Sequence, residues 1–98
     1  MLLADDTILG LIEYRAEPDH LWIENIAIRP EHQGHGLGPL LLSHAEQTAR
    51  QEALSKLRLV TNAAFETNVR LYRRHGFEVE RSEPFMGGIA LYFRKLLT

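Results

Sequence analysis

Apolar and polar positions follow two different periods along this chain, and each period predicts a type of element. Residues 7–16 and 20–28 are apolar, extended stretches separated by Glu17-Pro18-Asp19, a composition typical of a turn. We therefore expect these two stretches to form an antiparallel hairpin. Residues 37–53 instead carry apolar side chains at helical spacing, which predicts an amphipathic helix of about four turns.

The second half of the chain changes period in the same way. The expected elements are a buried strand at 57–62, a helix at 65–77, and a closing hairpin with strands at 77–81 and 89–97. Gly76 is placed to cap the helix at its C-terminus. Ser82-Glu83-Pro84 and Gly87-Gly88 interrupt the apolar pattern and predict the hairpin connection. Residues 2–4 are a candidate for one more short strand. The order predicts a single α/β domain over residues 1–98 in which helices cover a mixed sheet.

Composition narrows the class of protein. The chain has 98 residues, of which 45% are hydrophobic and 24% charged, as expected for one small globular domain. With a net charge of −2, the chain has no excess of basic residues of the kind that binds nucleic acid or an anionic membrane. No apolar run approaches the roughly 20 residues that cross a bilayer. The apolar stretch at residues 1–4 is too short for the apolar region of a signal peptide. We therefore expect a soluble cytoplasmic protein.

The cysteine and histidine content limits the available chemistry. Cysteine is absent, which excludes a disulfide framework, a thiolate metal site and an acetyl-cysteine intermediate. The chain has five histidines, no two of which have metal-ligand spacing on one predicted element. We therefore expect no metal cofactor, and any acyl transfer would be direct or use another nucleophile.

A glycine-rich turn joins the second strand to the first helix. Gly34, Gly36 and Gly38 remove side chains where the backbone could approach a ligand closely, and they allow an anion-binding nest of N–H groups. The helix start adds free donors and its dipole, so we expect a phosphorylated ligand. The last glycine comes one residue too early for G-x-G-x-x-G, and no Lys-Ser or Lys-Thr pair follows, which disfavours dinucleotides and nucleoside triphosphates.

Two motifs resemble the GCN5-related N-acetyltransferase (GNAT) family. The first is Gln33-x-x-Gly36-x-Gly38 after an Arg-Pro turn, which resembles the segment that binds the pyrophosphate of acetyl-CoA in that family. The second is Asn68-x-x-Leu71-Tyr72-x-x-x-Gly76-Phe77, which resembles the helix that closes the cofactor cleft. The resemblance implies a GNAT-like mixed, mostly antiparallel sheet flanked by helices. Members usually carry an additional N-terminal strand and helices, so the fold is expected to be N-terminally truncated, and the uncovered sheet edge makes a homodimer a reasonable expectation.

The resemblance also implies catalytic groups. Tyr72 matches the family tyrosine beside the cofactor sulfur, and a phenol with a pKa of about 10 can donate to a thiolate whose parent thiol has a pKa near 8.5. Spacing alone instead favours a core aromatic at Tyr72. Glu24 is the candidate base, since relatives often place a carboxylate or a water chain on this strand. The alternative is a solvated or salt-bridged glutamate on the same face as Trp22 and Ile26.

Contacts with the cofactor follow from the same resemblance. Backbone groups on a bulged strand would hold pantetheine, and the glycine turn would hold the pyrophosphate. The implied contacts are Ile26, Ala27, Ile28, Gln33, Gly34, His35, Gly36, Leu37, Gly38, Asn68 and Arg73. Pro39 departs from the family pattern, which usually has arginine, lysine or serine there, and it has no N–H to donate. We expect Asn68 and Arg73 to compensate.

The expected activity is direct transfer of the acetyl group of acetyl-CoA to an amine. The acceptor is left open among a small amine, a peptide N-terminus and a lysine. The missing N-terminal elements and Pro39 motivate an alternative, a non-catalytic or partner-dependent acyl-CoA binding module. A structural dimer that no longer binds the cofactor is a third hypothesis, disfavoured by the intact glycine turn.

Overall fold

The structure, a computed structural model, describes residues 2–4, 7–28 and 36–97. These residues form β1 (Leu2–Ala4), β2 (Thr7–Ala16), β3 (His20–Ile28), α1 (Leu37–Gln51), β4 (Lys56–Asn62), α2 (Glu66–Arg74), β5 (Glu78–Phe85) and β6 (Gly88–Leu96). In this described part the strands make one six-stranded sheet in the order β1-β2-β3-β4-β6-β5. Among its strand pairs, only β3 and β4 run parallel. The predicted mixed, mostly antiparallel α/β fold is confirmed.

The core lies between α1 and one face of the sheet. Leu41, Leu42, Ala45 and Ala49 are buried along α1, as the helical spacing predicts. Alternation along the strands places their partners on the same side: Leu21 and Ile23 of β3, Leu57 and Leu59 of β4, and Phe93 of β6 are buried. The helical face of the sheet therefore has a fully apolar interior in the described residues, where no polar or charged side chain is buried.

The closing hairpin is present, but its first strand is longer than predicted. β5 continues through Ser82 and Pro84 to Phe85, so the prediction that residues 82–84 break the strand was wrong. The physical reason is that β5 lies at the edge of the sheet, where proline is tolerated because no second neighbour needs its N–H. The chain reverses at Met86 and Gly87 with φ of 47° and 79°, the positive values that a tight two-residue hairpin turn requires.

Two features of the described residues concern membranes and metal ions. None of the helices found there is long and apolar enough to cross a membrane. The same residues hold no group of three or more histidine, cysteine, aspartate or glutamate side chains that could bind a metal ion.

Candidate active site

A cleft opens where β3 and β4 part. The two strands pair only over residues 20–22 of β3 and 56–58 of β4. Beyond that point β3 keeps β2 as its neighbour on one side. On the other side, residues 23–27 of β3 have no paired strand within the described residues, which is the geometry that lets an extended ligand bind as an added strand.

A β-bulge in β3 lies at the mouth of the cleft. Glu13 pairs with Asn25 while Tyr14 pairs with Ile23, so Glu24 is an extra residue in β3. A bulge bends a strand and increases its twist, which turns the rest of β3 away from β4. The register shift agrees with the bulge expected in this strand.

The cleft has two connected parts. The strand-side cavity, about 440 Å³ in volume, lies between β3, β4 and the tip of the β5–β6 hairpin, and its wall includes Glu24, Asn25, Asn62, Phe65 and Phe85. The helix-side cavity, about 770 Å³, lies between the N-terminal end of α1 and α2, and its wall includes Gly36, Leu37, Gly38, Pro39, Thr67, Arg70, Arg74 and His75. Ile26, Asn68 and Tyr72 line both cavities. The two cavities therefore adjoin at these three residues.

Tyr72 is held at this junction by aromatic packing. Its side chain is buried, and its ring centroid lies 5.9 Å from that of Phe77 and 5.7 Å from that of Phe93. Burial raises the pKa of the Tyr72 phenol above its ordinary value, because the ionised form is poorly solvated there. Tyr72 is therefore a neutral hydrogen-bond donor at neutral pH, and it also contributes to the core as spacing alone suggests.

The end of α2 fixes the orientation of Tyr72. Gly76 has a φ of 92°, which favours glycine. The Gly76 N–H donates to the Arg73 carbonyl at 3.1 Å, and the Phe77 N–H donates to the Tyr72 carbonyl at 3.0 Å. These two bonds, with the contact between the Phe77 and Tyr72 rings, make a Schellman motif. The glycine C-cap predicted at Gly76 is confirmed.

Glu24 lines the strand-side cavity and is also ion-paired. Its Oε1 accepts a hydrogen bond from Nη1 of Arg15, whose Nε donates to Glu17 at 2.5 Å. The Arg15 guanidinium lies 5.9 Å from the centre of the Trp22 ring, so Glu24 and Trp22 share a face as predicted. The structure therefore supports the salt-bridged interpretation of Glu24 while placing it beside the cavity.

The glycine turn is described only in part. Gln33, Gly34 and His35 lie outside the described residues. Gly36 precedes α1 with a φ of 78°, and a Cβ atom built on Gly38 would lie 3.0 Å from Cδ2 of Leu71. Gly38 therefore lets α1 pack closely against α2, a reason for glycine that the sequence motif did not indicate.

The remaining predicted cofactor contacts divide into two groups. Ile26, Ile28, Leu37 and Asn68 line the cleft, whereas Ala27 and Arg73 are absent from the residues that line either cavity. Ala27 pairs with Leu11 of β2. The Arg73 guanidinium lies 5.9 Å from the centre of the Phe93 ring, turned away from the cavity wall.

Sequence reasoning missed two arginines in the helix-side cavity. Arg70 and Arg74 line its wall, and neither forms an ion pair with another described residue. The missed signal is helical periodicity, since Thr67, Arg70 and Arg74 follow one another at intervals of three and four and so share one face of α2. Within the part of the chain that the structure describes, the cavity therefore presents two positive charges without an ion-pair partner.

His75 was also missed as a cavity residue. It is the C-terminal cap residue of α2 and lines the helix-side cavity. Its Nε2 atom is buried without a hydrogen-bond partner among the described residues. Burial lowers the pKa of His75, Lys95 lowers it further, and Glu46 partly opposes them.

Comparison with known proteins identifies similar sequences and folds. Streptothricin acetyltransferase from Streptomyces lavendulae is 34% identical over 76 residues, which make up 76% of this chain and 40% of that protein. A nourseothricin acetyltransferase crystal structure matches with a TM-score of 0.87 and 27% identity, over 94% of this chain and 59% of that one. A GNAT family acetyltransferase from Elizabethkingia anophelis with acetyl-CoA bound shares the fold, with a TM-score of 0.84 at 19% identity, over 97% of this chain and 72% of that one.

The match to a family model covers most of the chain. This protein spans less than two thirds of the length of the streptothricin and nourseothricin acetyltransferases. Residues 1–77 match the model of the Acetyltransferase (GNAT) family. The chain therefore belongs to the GNAT acetyltransferase family.

Proposed function

We propose that this protein is an N-acetyltransferase that transfers the acetyl group of acetyl-CoA directly to an amine. The observation that carries the proposal is the pair of adjoining cavities beside the parted strands β3 and β4, with Tyr72 in the wall of both. The relatives named for acetyl transfer, and the bound acetyl-CoA in the Elizabethkingia anophelis structure, support acetyl-CoA as the donor. The acceptor is an amine whose identity the proposal leaves open.

The helix-side cavity would hold the diphosphate of the coenzyme. The N-terminal end of α1 offers backbone N–H groups at residues 36–38 and the positive end of the helix dipole. The unpaired arginines Arg70 and Arg74 supply charge on the opposite wall. Gln33, Gly34, His35, Asn68 and Arg73 stay predicted contacts in this proposal.

The pantetheine arm would run along the side of β3 that faces away from β2. Ile26 lines both cavities, and its main chain lies beyond the last residue of β3 that pairs with β4. An extended amide-bearing chain binds there as a strand would, through backbone hydrogen bonds. This geometry would bring the thioester to the junction at Tyr72.

Tyr72 would act on the leaving sulfur. The amine nitrogen attacks the thioester carbon, a C–N bond forms, and the C–S bond breaks with its electron pair going to sulfur. Because burial raises the pKa of Tyr72 and a thiol has a pKa of about 8.5, complete proton transfer from the phenol is uphill. Tyr72 therefore works best as a hydrogen-bond donor to sulfur as charge develops there, and the proton that the amine loses finally balances the thiolate.

Glu24 would receive the proton of the amine, directly or through water. A proton on its carboxylate would remove the charge on which its ion pair with Arg15 depends. Transfer through water to solvent is therefore favoured over lasting protonation of Glu24. We expect Glu24→Gln to lower kcat less than a change at Tyr72.

The first test is calorimetric titration with acetyl-CoA and with coenzyme A, followed by detection of free thiol with a panel of amines. Micromolar binding and thiol release with at least one amine are expected. The double variant Arg70→Gln/Arg74→Gln should bind coenzyme A about tenfold or more weakly, since a hydrogen bond to a charged group contributes about 1.5 kcal/mol or more. Arg81→Gln is the matched control, because Arg81 lies over the Tyr92 ring at 4.1 Å on β5. Equal affinities for the double variant and the control would remove the two arginines from the site.

A second candidate is a non-catalytic or partner-dependent acyl-CoA binding module. It is favoured by the ion pair of Glu24 with Arg15, which already engages the candidate base. It predicts coenzyme A binding without thiol release across the amine panel. Free thiol from any amine would exclude it.

A cytoplasmic homodimer is part of the proposal. β1 forms an edge of the described sheet, and an uncovered edge is prone to pair with another strand. Light scattering of the purified protein should give twice the mass of one chain. A monomer at micromolar concentration would contradict this expectation.

A further inference from the structure

His75 occupies a part of the helix-side cavity that the proposed chemistry does not use. Its ring lines that cavity, while its Nε2 atom is buried without a hydrogen-bond partner among the described residues. A buried polar atom without a partner costs free energy, so it calls for an explanation. The charges around the ring suggest one.

Charged groups on two other elements, Lys95 and Glu46, act on the imidazole. Nζ of Lys95 on β6 lies 3.2 Å from Oε1 of Glu46 on α1, and Nη2 of Arg50 lies 3.4 Å from the same oxygen. The Glu46 carboxylate is thus shared by two cations. Arg70 and Arg74, on the histidine's own helix, add positive charge along the cavity wall.

Burial and the neighbouring positive charge disfavour the imidazolium form of His75 when the cavity holds no anion. Burial and the positive charge of Lys95 both lower the pKa of the imidazole, and the partly neutralised Glu46 opposes them only in part. An anion placed in the same cavity acts in the opposite direction, because a nearby negative charge stabilises the protonated ring.

We propose that His75 takes up a proton from solvent when a diphosphate ester occupies the helix-side cavity, so that coenzyme binding is coupled to pH at this residue. The inference rests on the proposed function, in which this cavity holds the diphosphate of coenzyme A. Linkage is reciprocal: if the anion favours the imidazolium, the imidazolium favours the anion. Affinity for the coenzyme should therefore rise as the pH falls towards the histidine range, by at most tenfold per pH unit for one proton.

The probe must not titrate in the same range. The terminal phosphate monoester of coenzyme A has a pKa of about 6, so its own protonation would mix with that of His75. Dephospho-coenzyme A lacks this group, and its diphosphate keeps a constant charge between about pH 5.5 and pH 8. Proton uptake with this probe therefore reports on the protein.

The experiment is calorimetric titration of the full chain with dephospho-coenzyme A in buffers of different ionisation enthalpy, at several pH values between about 5.5 and 8. The dependence of the observed heat on the buffer counts the protons taken up. We expect uptake approaching one proton at its maximum in the wild-type protein and near zero in His75→Gln. His44→Gln is the matched control and should behave as wild type, because His44 is exposed on α1 with its Nε2 atom 3.4 Å from the Tyr14 hydroxyl.

A second measurement uses the wild-type protein alone, in case the His75 variant does not fold. The imidazole resonances of His75 are followed by NMR against pH with and without dephospho-coenzyme A, and the ligand should raise the pKa of this residue. Binding without proton uptake and without that rise would overturn the inference and leave the proposed function intact. Uptake that persists in His75→Gln would assign the proton elsewhere and also overturn it. No binding of coenzyme A or dephospho-coenzyme A would instead refute the proposed function.

Discussion

Replacing Tyr72 with phenylalanine removes one oxygen atom and keeps the ring that packs in the core. The Tyr72 ring lies 5.9 Å from Phe77 and 5.7 Å from Phe93, and phenylalanine retains both contacts. The hydroxyl has no hydrogen-bond partner among the described residues, so its removal leaves no donor or acceptor unpaired. We therefore expect the free energy of unfolding to change by less than about 1 kcal/mol.

The effect on the rate should be far larger than the effect on stability. A positioned acid or hydrogen-bond donor contributes about 10²- to 10⁴-fold to a reaction rate, which corresponds to about 3 to 5 kcal/mol of the activation barrier. If Tyr72 assists departure of the sulfur, Tyr72→Phe should lower kcat by this factor. Its Kd for coenzyme A should change little, because the lost atom acts on the charge that develops during the reaction.

The assay follows free thiol under saturating acetyl-CoA and acceptor, with thermal unfolding measured on the same samples. Tyr92→Phe is the matched control: it removes the same atom from β6, where Tyr92 lies under Arg81 outside the walls of both cavities. An unchanged kcat for Tyr72→Phe would refute the role of the hydroxyl. A low kcat accompanied by a loss of several kcal/mol in stability would instead mean that the phenylalanine had disturbed the packing.

Three further predictions concern stability. Gly76→Ala should destabilise the protein by about 1 to 2 kcal/mol because alanine is strained at the positive φ of 92°, and further because the new Cβ would lie 3.3 Å from Cε of Lys95. Gly87→Ala is the control for the backbone cost alone, since Gly87 has a φ of 79° and its Cβ would meet no atom within 4 Å. An equal fall in the melting temperature for both variants would contradict this reasoning. Phe93→Ala removes a fully buried ring and should cost about 3 to 5 kcal/mol in chemical denaturation, so a loss below about 1 kcal/mol would contradict the described core. Because the pKa of Tyr72 is raised on folding, its contribution to stability is fully present below about pH 10 and is lost as the pH rises through the folded pKa. Denaturation curves should therefore show that the wild type loses stability relative to Tyr72→Phe above about pH 10. Parallel pH profiles for the two proteins would refute this prediction.

Local pattern was enough to predict the elements, because each carries its own period. The apolar stripe of α1 and the glycine at the end of α2 are properties of consecutive residues, and both appear in the structure as expected. Pro84 was misjudged because its effect depends on the position of β5 in the sheet. A proline breaks a central strand but is tolerated at an edge, and strand order is decided by contacts far apart in sequence.

The site was harder to predict than the fold because single residues decide it. Neighbouring positions on a helix differ in direction by about 100°, so a motif that fixes Tyr72 does not by itself say whether Arg73 or Arg74 reaches the cavity. The structure brings Arg74 to the cavity wall and turns Arg73 towards Phe93. The perturbed pKa of His75 was equally hidden, since two of the groups that shift it, Lys95 and Glu46, belong to two other elements.

A turn at the end of β4 and two glycines shape the borders of the cleft. At the end of β4, Oδ1 of Asn62 accepts a hydrogen bond from the Ala64 N–H at 2.8 Å, and its carbonyl accepts one from the Phe65 N–H at 3.0 Å. A Cβ atom on Gly88 would lie 2.9 Å from Nδ2 of Asn62, so this turn requires glycine on β6.

At the other end of the cleft, the lack of a side chain on Gly38 lets α1 lie against Leu71 of α2. β3 and β4 are parted before any ligand is present, and the bulge at Glu24 lies just beyond the point where they part. A ligand that binds along β3 therefore does not have to separate two paired strands. Preorganisation of this kind reduces the free-energy cost of binding. Gly88 lines neither cavity, but a side chain there would displace Asn62 in the wall of the strand-side cavity, so its replacement should affect coenzyme affinity.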